Sequence, residues 1–406
     1  MKILLVCQCF YPENFRVNDL CSELVRRGHE VTVLAGIPIN RTTGKFWEGY
    51  SRKERTEDTY EGARVIRAYN TERHHDSAHL AIHYFSFWFF GNKKAKKLAR
   101  QEKFDIVLVY QLSPVFMAFP AMKVAKIQNI PLIVYTLDLW PESAINAGGL
   151  RFKPVISWLR RKVDKIYSAS SKILISSRHF KDLIVKSGHP AEKIEFFPQY
   201  AEDCYVRLDR NPEDPIESEL PQGFRIIFTG NIGRSQSIET VVEAAAELKA
   251  YPDIHWIIVG DGRDRDRVFQ YSEEKDVTET VHFTGRKPME TMSRYLAASD
   301  VALLILKDDP LFHITLPAKA QSYMACGIPM LGCIKGESAD LIKEARCGIC
   351  CERLDGKSLA EAALKMYYMS QEEREQMGRN AVEYSQKYFS KQKLLDRLEE
   401  IMGELK

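Results

Sequence analysis

The 406-residue chain is long for a single hydrophobic core, which points to two domains of ordinary size. Its 58 Lys and Arg nearly balance 55 Asp and Glu, so the net charge of +3 lacks the basic excess of a dedicated nucleic-acid binder. The 9 cysteines are scattered, odd in number and mostly set in apolar runs, which excludes a disulfide framework and favours a reducing, cytoplasmic setting.

Short apolar runs alternate with amphipathic segments from end to end. Strands are predicted at 2–6, 30–35, 63–68, 105–110, 131–136, 172–176 and 194–197. A second series follows at 224–229, 254–259, 280–284, 300–306, 329–334 and 348–351. Continuous apolar strands alternating with helices predict parallel sheets covered on both faces. Residues 2–6 are too short for a secretory signal, and the apolar stretch Leu80 to Phe90 is far short of the ~20 residues that span a bilayer. Residues 198–223, rich in proline and acid and without either period, read as an interdomain linker or as a loop packed on a domain. The expected domains are therefore 1–200 and 201–389, followed by a Ser390-started amphipathic helix over 390–406. Open α/β sheets bind ligands beyond the carboxyl ends of their strands, so a cleft between two facing sheets is the expected active site.

The loop after the first strand, Gln8 to Asn14, holds no glycine, which argues against a dinucleotide pyrophosphate turn. Gly28 suits a helix stop within RRGHE. His75, His79 and His83 would share one helical face, as metal ligands or, better, as an acceptor-facing or exposed stripe. The aromatic run Tyr84 to Phe90 leads into the lysines up to Lys97. This composition suits a helix lying on an anionic membrane surface or a buried helix with a solvated basic end. Asp138, at the end of a Leu-Ile-Val-Tyr strand, could orient a hydroxyl or accept its proton, or could cap a turn.

In the second half, Gly230, Asn231, Gly233 and Arg234 sit where a strand breaks into a loop. Glycines let the backbone approach a phosphate and Arg234 can pair with one; a plain tight turn is the alternative. Gly260 to Arg263 matches a G-x-G-x-x-G pattern only weakly, because Arg265 occupies the third glycine position. Pro317 and Gly327 frame a short helix whose N-terminal amides, with Lys319, would hold a diphosphate, while Ser322 on the same face could meet a hydroxyl. Cys347, Cys350 and Cys351 lack a second ligand pair at zinc spacing and read as strand and core.

The segments RRGHEVTVLAG, TLDLWPES, FTGNIG and LPAKAQSYMACGIPM, in this order and spacing, resemble the retaining glycosyltransferases of the group-1 (GT4) family. The likeness is greatest to O-antigen and capsule members of the N-acetyl-L-fucosamine transferase type. The resemblance implies the GT-B fold of the α/β class: two Rossmann-like doubly wound domains facing a cleft, with a C-terminal helix crossing back to the N-terminal domain. It implies an acceptor-binding first domain and a nucleotide-sugar-binding second domain. Sugar transfer would proceed with retention and without a metal, basic groups and helix amides stabilising the leaving diphosphate. Carried onto this chain, the catalytic residues would be Asp138, Lys319 and Arg234. The donor would be held by Gly230, Asn231, Gly233, Arg286, Pro317, Ser322 and Glu337.

The sequence departs from the family where Ile314 and Ser322 replace two glutamates and Leu137 replaces a histidine. The implied donor substrate is a UDP-sugar with no further cofactor, and the implied acceptor is a polyprenyl-diphosphate-linked saccharide. Peripheral membrane contact through 84–97 and a place at the cytoplasmic face of the inner membrane complete the expectation. A UDP-sugar epimerase of the same fold and a non-catalytic nucleotide-sugar-binding subunit are the competing readings.

Overall fold

The computed structural model describes residues 1–40, 43–73, 77–146 and 149–406. The chain forms two compact units, Met1–Phe197 with Asp396–Lys406, and Pro198–Leu395.

The first unit is built on strands β1 (Lys2–Val6), β2 (Glu30–Gly36), β3 (Glu57–Tyr60), β4 (Ala63–Ala68), β5 (Ile106–Gln111), β6 (Leu132–Thr136), β7 (Lys172–Ile175) and β8 (Ile194–Phe196). They form one eight-stranded sheet in the order β3-β4-β2-β1-β5-β6-β7-β8. Every neighbouring pair is parallel except β3 with β4. The central strands are buried along nearly their whole length, which is why they read as unbroken apolar runs.

Strand β3 escaped the sequence pattern because Glu57-Asp58-Thr59-Tyr60 carries no apolar run and lies half exposed at the sheet edge. Its signal was instead the turn. Glu61 and Gly62, with φ of +47° and +86°, close a two-residue hairpin of the kind that needs positive φ at both central positions.

The last helix, Lys391–Glu404, buries Leu398, Ile401 and Met402. It is tied into the first unit by Arg397, which makes paired bonds to Glu195 at 2.7 and 3.1 Å. The basic pair at the end of RRGHE faces it: Arg27 bonds Asp396 at 2.8 Å, and His29 meets Glu399 at 2.8 Å. That motif is thus a structural clamp in this chain.

The second unit holds β9 (Phe224–Thr229), β10 (Ile254–Val259), β11 (Val281–Gly285), β12 (Val301–Ile305), β13 (Met330–Cys333) and β14 (Gly348–Cys350). They make a six-stranded, all-parallel sheet in the order β11-β10-β9-β12-β13-β14. The strand order reverses between β9 and β12, the point at which such sheets open a crevice for ligands.

The linker expectation for 198–223 is corrected in part. These residues belong to the second unit, and Asp214 caps a short helix, Pro215–Glu219, that sends Ile216 and Leu220 into the core. Within it Glu217 bonds Arg210 at 2.7 Å and the Arg225 guanidinium at 2.6 Å. Arg225 is fully buried on β9 and also donates to the carbonyls of Ala298 and Pro221. Acidic residues around a proline looked like solvated linker because their buried cationic partner lies beyond the window that periodicity reads.

Removing Glu217 would strand a buried guanidinium charge. Glu217→Ala is expected to lower unfolding stability by about 3 kcal/mol, and a paired Glu217→Met, Arg225→Met protein to lose far less. Urea unfolding checks this, and a loss within experimental error for Glu217→Ala would show the pair to be unimportant.

Candidate active site

At the carboxyl edge of the second sheet, three loops lie close together. Gly230 donates its N–H to the Val259 carbonyl, Ile232 to that of Asp261, and Gly260 to that of Gly285, each at 2.9 Å. The approach is too close for side chains. A Cβ on Gly260, whose φ is +147°, would lie 1.8 Å from the Gly230 carbonyl oxygen, and one on Gly262 would lie 2.2 Å from that of Ile232. The sequence pattern G-D-G-R is therefore the mate of the G-N-I-G loop, which it holds in shape.

Lys319 stands in the first turn of the helix Ala318–Cys326, which Pro317 begins and Gly327 ends in the left-handed conformation. Its Nζ donates to Gln236 Oε1 at 2.7 Å and lies 3.7 Å from the centre of the Phe228 ring. Gly230 faces it so closely that a Cβ there would be 3.0 Å from Nζ. The partner is a neutral amide, so no opposite charge offsets the loss of water, and burial pushes the ammonium down to about 7. The helix is locked to the sheet by Tyr323, whose hydroxyl accepts from the Thr229 N–H at 2.9 Å. Gln236, Phe228 and Tyr323 were not singled out in the sequence. Each comes from a different element from the one that carries Lys319 or sits beyond its first turn, and only the fold assembles them.

The remaining residues expected at the donor site are spread around this centre. Arg234 is 88% exposed at its side chain and reaches Asp264 only at 3.9 Å, so it is free to swing toward an anion. Asn231 is exposed beside Gly233. Arg286 is exposed directly after β11. Glu337 begins the helix Glu337–Ala345 at the end of β13, buried behind Gly336. Ser322 is buried, and its Oγ points back to the Ala318 carbonyl at 3.5 Å in its own helix.

Asp138 lies in the first unit, at the carboxyl end of β6. Its carboxylate accepts from the Ser113 N–H at 2.7 Å, and Gln111 Nε2 donates to its carbonyl at 2.8 Å. Burial raises its pKa and the bonds from Ser113 oppose the rise. It lines a cavity of ≈ 160 Å³ with Gln8, Glu13, Asn70, Arg73 and His83. His83 is buried and Gln8 Nε2 meets its Nε2 at 2.9 Å, while its Nδ1 meets the Thr71 carbonyl at 2.5 Å. A carbonyl can only accept, so His83 carries its proton on Nδ1 and accepts from Gln8. That leaves Gln8 Oε1, buried and without a hydrogen-bond donor, on the wall of the cavity. Such an atom is set to take a hydroxyl.

Of the histidine stripe, His75 lies outside the described residues and His79 is exposed, while the His83 ring is committed as above. Cys347 and Cys351 are buried and Cys350 is partly so. Burial drives the Cys347 thiol up to about 12 and Cys350 to about 11, making both poor thiolates. The aromatic run lies in the helix Ser77–Gln101. There Phe87 is buried and Trp88 stacks on Phe116 at 5.4 Å, whereas Phe85 and Phe89 are exposed. No helix among the described residues is long and apolar enough to cross a membrane.

Known proteins match this arrangement. Residues 210–384 match the family of glycosyl transferases group 1, and residues 15–199 match Glycosyltransferase Family 4. The probable glycosyltransferase WbjE of Pseudomonas aeruginosa is 29% identical over 65% of this chain and 66% of its own length. The N-acetyl-alpha-D-glucosaminyl L-malate synthase of Bacillus anthracis is 26% identical over 43% of this chain and 44% of its own. The matches thus span just under two thirds and under half of these two curated relatives. The putative colanic acid biosynthesis glycosyl transferase WcaI of Escherichia coli K12 is 24% identical over 80% and 82%. The crystal structure of Anabaena Alr3699/HepE in complex with UDP and glucose superposes with a TM-score of 0.71 at 14% identity, over 99% of both chains. The protein has the GT-B fold, each of its two halves matches a glycosyltransferase family model, and a protein named for colanic acid biosynthesis is among its relatives.

Lys319 also governs a pH dependence. Its folded pKa near 7 lies below the ordinary 10.5, so between these values the unfolded chain binds more protons and stability rises with pH. Lys319→Met is therefore expected to be more stable than the wild type at pH 7, with the gap narrowing toward pH 10. Chemical denaturation at pH 7, 8.5 and 10 reads this directly, and a constant gap would show the ammonium to be unperturbed.

Proposed function

We propose that this protein is a retaining, metal-independent glycosyltransferase. It moves a sugar, of the N-acetylated amino or deoxy kind, from a UDP carrier to a polyprenyl-diphosphate-linked saccharide during O-antigen or capsule assembly at the cytoplasmic face of the inner membrane. The observation that carries the reading is the Lys319 ammonium, held beside Gly230 at a helix N-terminus with only a neutral amide as partner. A lysine kept that way is poised for an anion, and a leaving diphosphate supplies one.

In this reading the second unit binds the donor. Lys319, the first amides of its helix and the mobile reach of Arg234 take up the charge that develops as the sugar–phosphate bond breaks. Glu337 and Arg286, on separate loops at the carboxyl edge of the same sheet, contact the sugar and nucleotide. Asp138 in the first unit, its carboxylate fixed by Ser113, orients a hydroxyl of the acceptor, and Gln8 accepts from another. The names of the relatives support the chemistry. The B. anthracis enzyme is named for an N-acetyl-glucosaminyl group and the E. coli protein for a surface polysaccharide. The fold neighbour that carries UDP and glucose makes UDP the first nucleotide to test. Membrane contact would come from Ile82, Phe85 and Phe89, exposed at helical spacing just before the lysines of 93–97.

UDP at saturating concentration is expected to raise the melting temperature above that given by GDP, ADP or CMP, corresponding to about 2.7 kcal/mol at a hundredfold excess over Kd. Lys319→Ala should abolish the shift and cut kcat/KM by roughly 100-fold to 1,000-fold, the scale of one lost electrostatic donor. UDP release should require an acceptor. Isomerised UDP-sugar without acceptor would mark an epimerase instead, and no shift with any nucleotide would remove the donor site.

The depressed Lys319 pKa adds a calorimetric signature. At pH 8 most of the empty protein carries a neutral Lys319, and a bound diphosphate restores the charge. UDP binding should therefore take up close to one proton at pH 8 and almost none at pH 6, read from the buffer dependence of the binding enthalpy. Equal enthalpies in buffers of different ionisation heat at pH 8 would contradict the assignment.

A further inference from the structure

The first unit carries a second cavity whose chemistry is that of an anion site. It measures ≈ 370 Å³ and is lined by Arg52, Arg67, Lys93, Lys94 and Lys97, with Tyr69, Phe90, Thr56 and Ile37 completing the wall. The helix Ser77–Gln101 supplies Phe90, Lys93, Lys94 and Lys97, spaced so that they share one face. Arg67 comes from β4 and Tyr69 from just beyond it, while Arg52 comes from the segment before β3.

These cations are short of partners. Among the described residues, Arg52, Lys93, Lys94 and Lys97 have no carboxylate within ion-pair distance. Arg52 rests on rings instead, 5.0 Å from the centre of Tyr69 and 5.5 Å from that of Phe90. Glu57, on which Lys94 and Lys97 act from further off, is paired with Arg64 at 2.8 Å. Asp58, on the same strand, is bonded to the Tyr50 hydroxyl at 2.8 Å. Arg67 is buried, donates to the carbonyls of Tyr11 and Gly36, and its Nε has no acceptor. Five cations gathered around one concavity repel each other, and a compact polyanion is what relieves that repulsion. An arginine fork with several lysines suits phosphate oxygens above carboxylates, because several acceptors converge on one small group.

We propose that this pocket binds the diphosphate of the acceptor substrate. The assignment rests on the lipid-linked acceptor reading given above. Ile37 lines both this pocket and the Asp138 cavity, so the two adjoin within one unit. A saccharide with a hydroxyl at Gln8 and Asp138 would extend its diphosphate over Ile37 to the cations. Phe89, exposed beside Lys93 with Nζ 4.3 Å from its ring centre, offers an apolar edge for the first isoprene units.

The test uses the full chain in a Lys319→Ala background, which disables the donor-side cation. Inorganic pyrophosphate and, separately, farnesyl diphosphate are titrated calorimetrically into that protein and into the same protein with Lys93→Ala and Lys97→Ala. Both lysines are exposed, so the fold should be unchanged, and the melting temperature checks it. At least a tenfold loss of affinity for both probes is expected, with Lys93→Arg, Lys97→Arg restoring most of it. Equal affinities would overturn the proposal. Sedimentation with phosphatidylglycerol vesicles separates the sources of phosphate. If the alanine pair lowers vesicle binding alone, the cations serve lipid headgroups and the acceptor assignment is wrong. The UDP shift of the otherwise wild-type Lys93→Ala, Lys97→Ala protein should match that of the wild type. Loss of the UDP shift in the wild type itself would sink the transferase reading, yet leave the pyrophosphate comparison readable.

Discussion

The candidate chemistry depends on a single constraint: a partly buried lysine ammonium set against a neutral amide and an aromatic ring. Left alone, that arrangement costs the folded state free energy, which is visible in the fall of the Lys319 pKa to about 7. The surrounding structure holds it in place. Tyr323 fixes the helix to the end of β9, Gly230 gives up its side chain so that the backbone can come near, and Gln236 supplies one hydrogen bond. A site of this kind gains most when a negative charge arrives, because the anion replaces the solvation that burial removed. The same lysine in water, already solvated, would contribute little to separating a ground state from a more negative transition state.

Backbone packing sets the shape of that site as firmly as its charge. The loops after β9 and β10 touch through glycines at distances no side chain could survive, so the loop from Gly230 to Gly233 is supported from behind by main chain. This explains why a poor G-x-G-x-x-G match is nevertheless informative here. Its glycines answer to the neighbouring loop, and its missing third glycine, Arg265, starts a helix that needs no close approach.

The sheets were legible in the sequence because parallel strands buried on both faces must be apolar along nearly their whole length. Thirteen predicted strands match strands of the two sheets, and β3 was missed because an edge strand is free to be polar. The helix from Ala318 to Cys326 was legible from its proline start and glycine stop. What was not legible is what depends on distance in sequence. The Arg225–Glu217 pair turned an apparent linker into part of a core, and Gln236 stands 83 positions from the lysine it bonds. The buried, unpaired Oε1 of Gln8 is likewise invisible until His83 and Thr71 are known to fix the other half of the amide's network.

A net charge of +3 on 406 residues says little about where the charge lies. Many basic side chains here are paired with acids, as in the clamp of Arg27 and Arg397 on the last helix. Among the described residues, two places hold basic side chains with no acid beside them: Lys319, and the face of the helix that carries Lys93 and Lys97. Solubility does not account for such spacing, since a solvated basic face needs neither a cavity beneath it nor an arginine buried in the wall. Unpaired cations in concave surroundings raise the local potential and are costly to retain in an empty protein. In the proposed reading, a donor and an acceptor that each carry a diphosphate would use two such places. A near-neutral total is thus no bar to a strongly positive local surface.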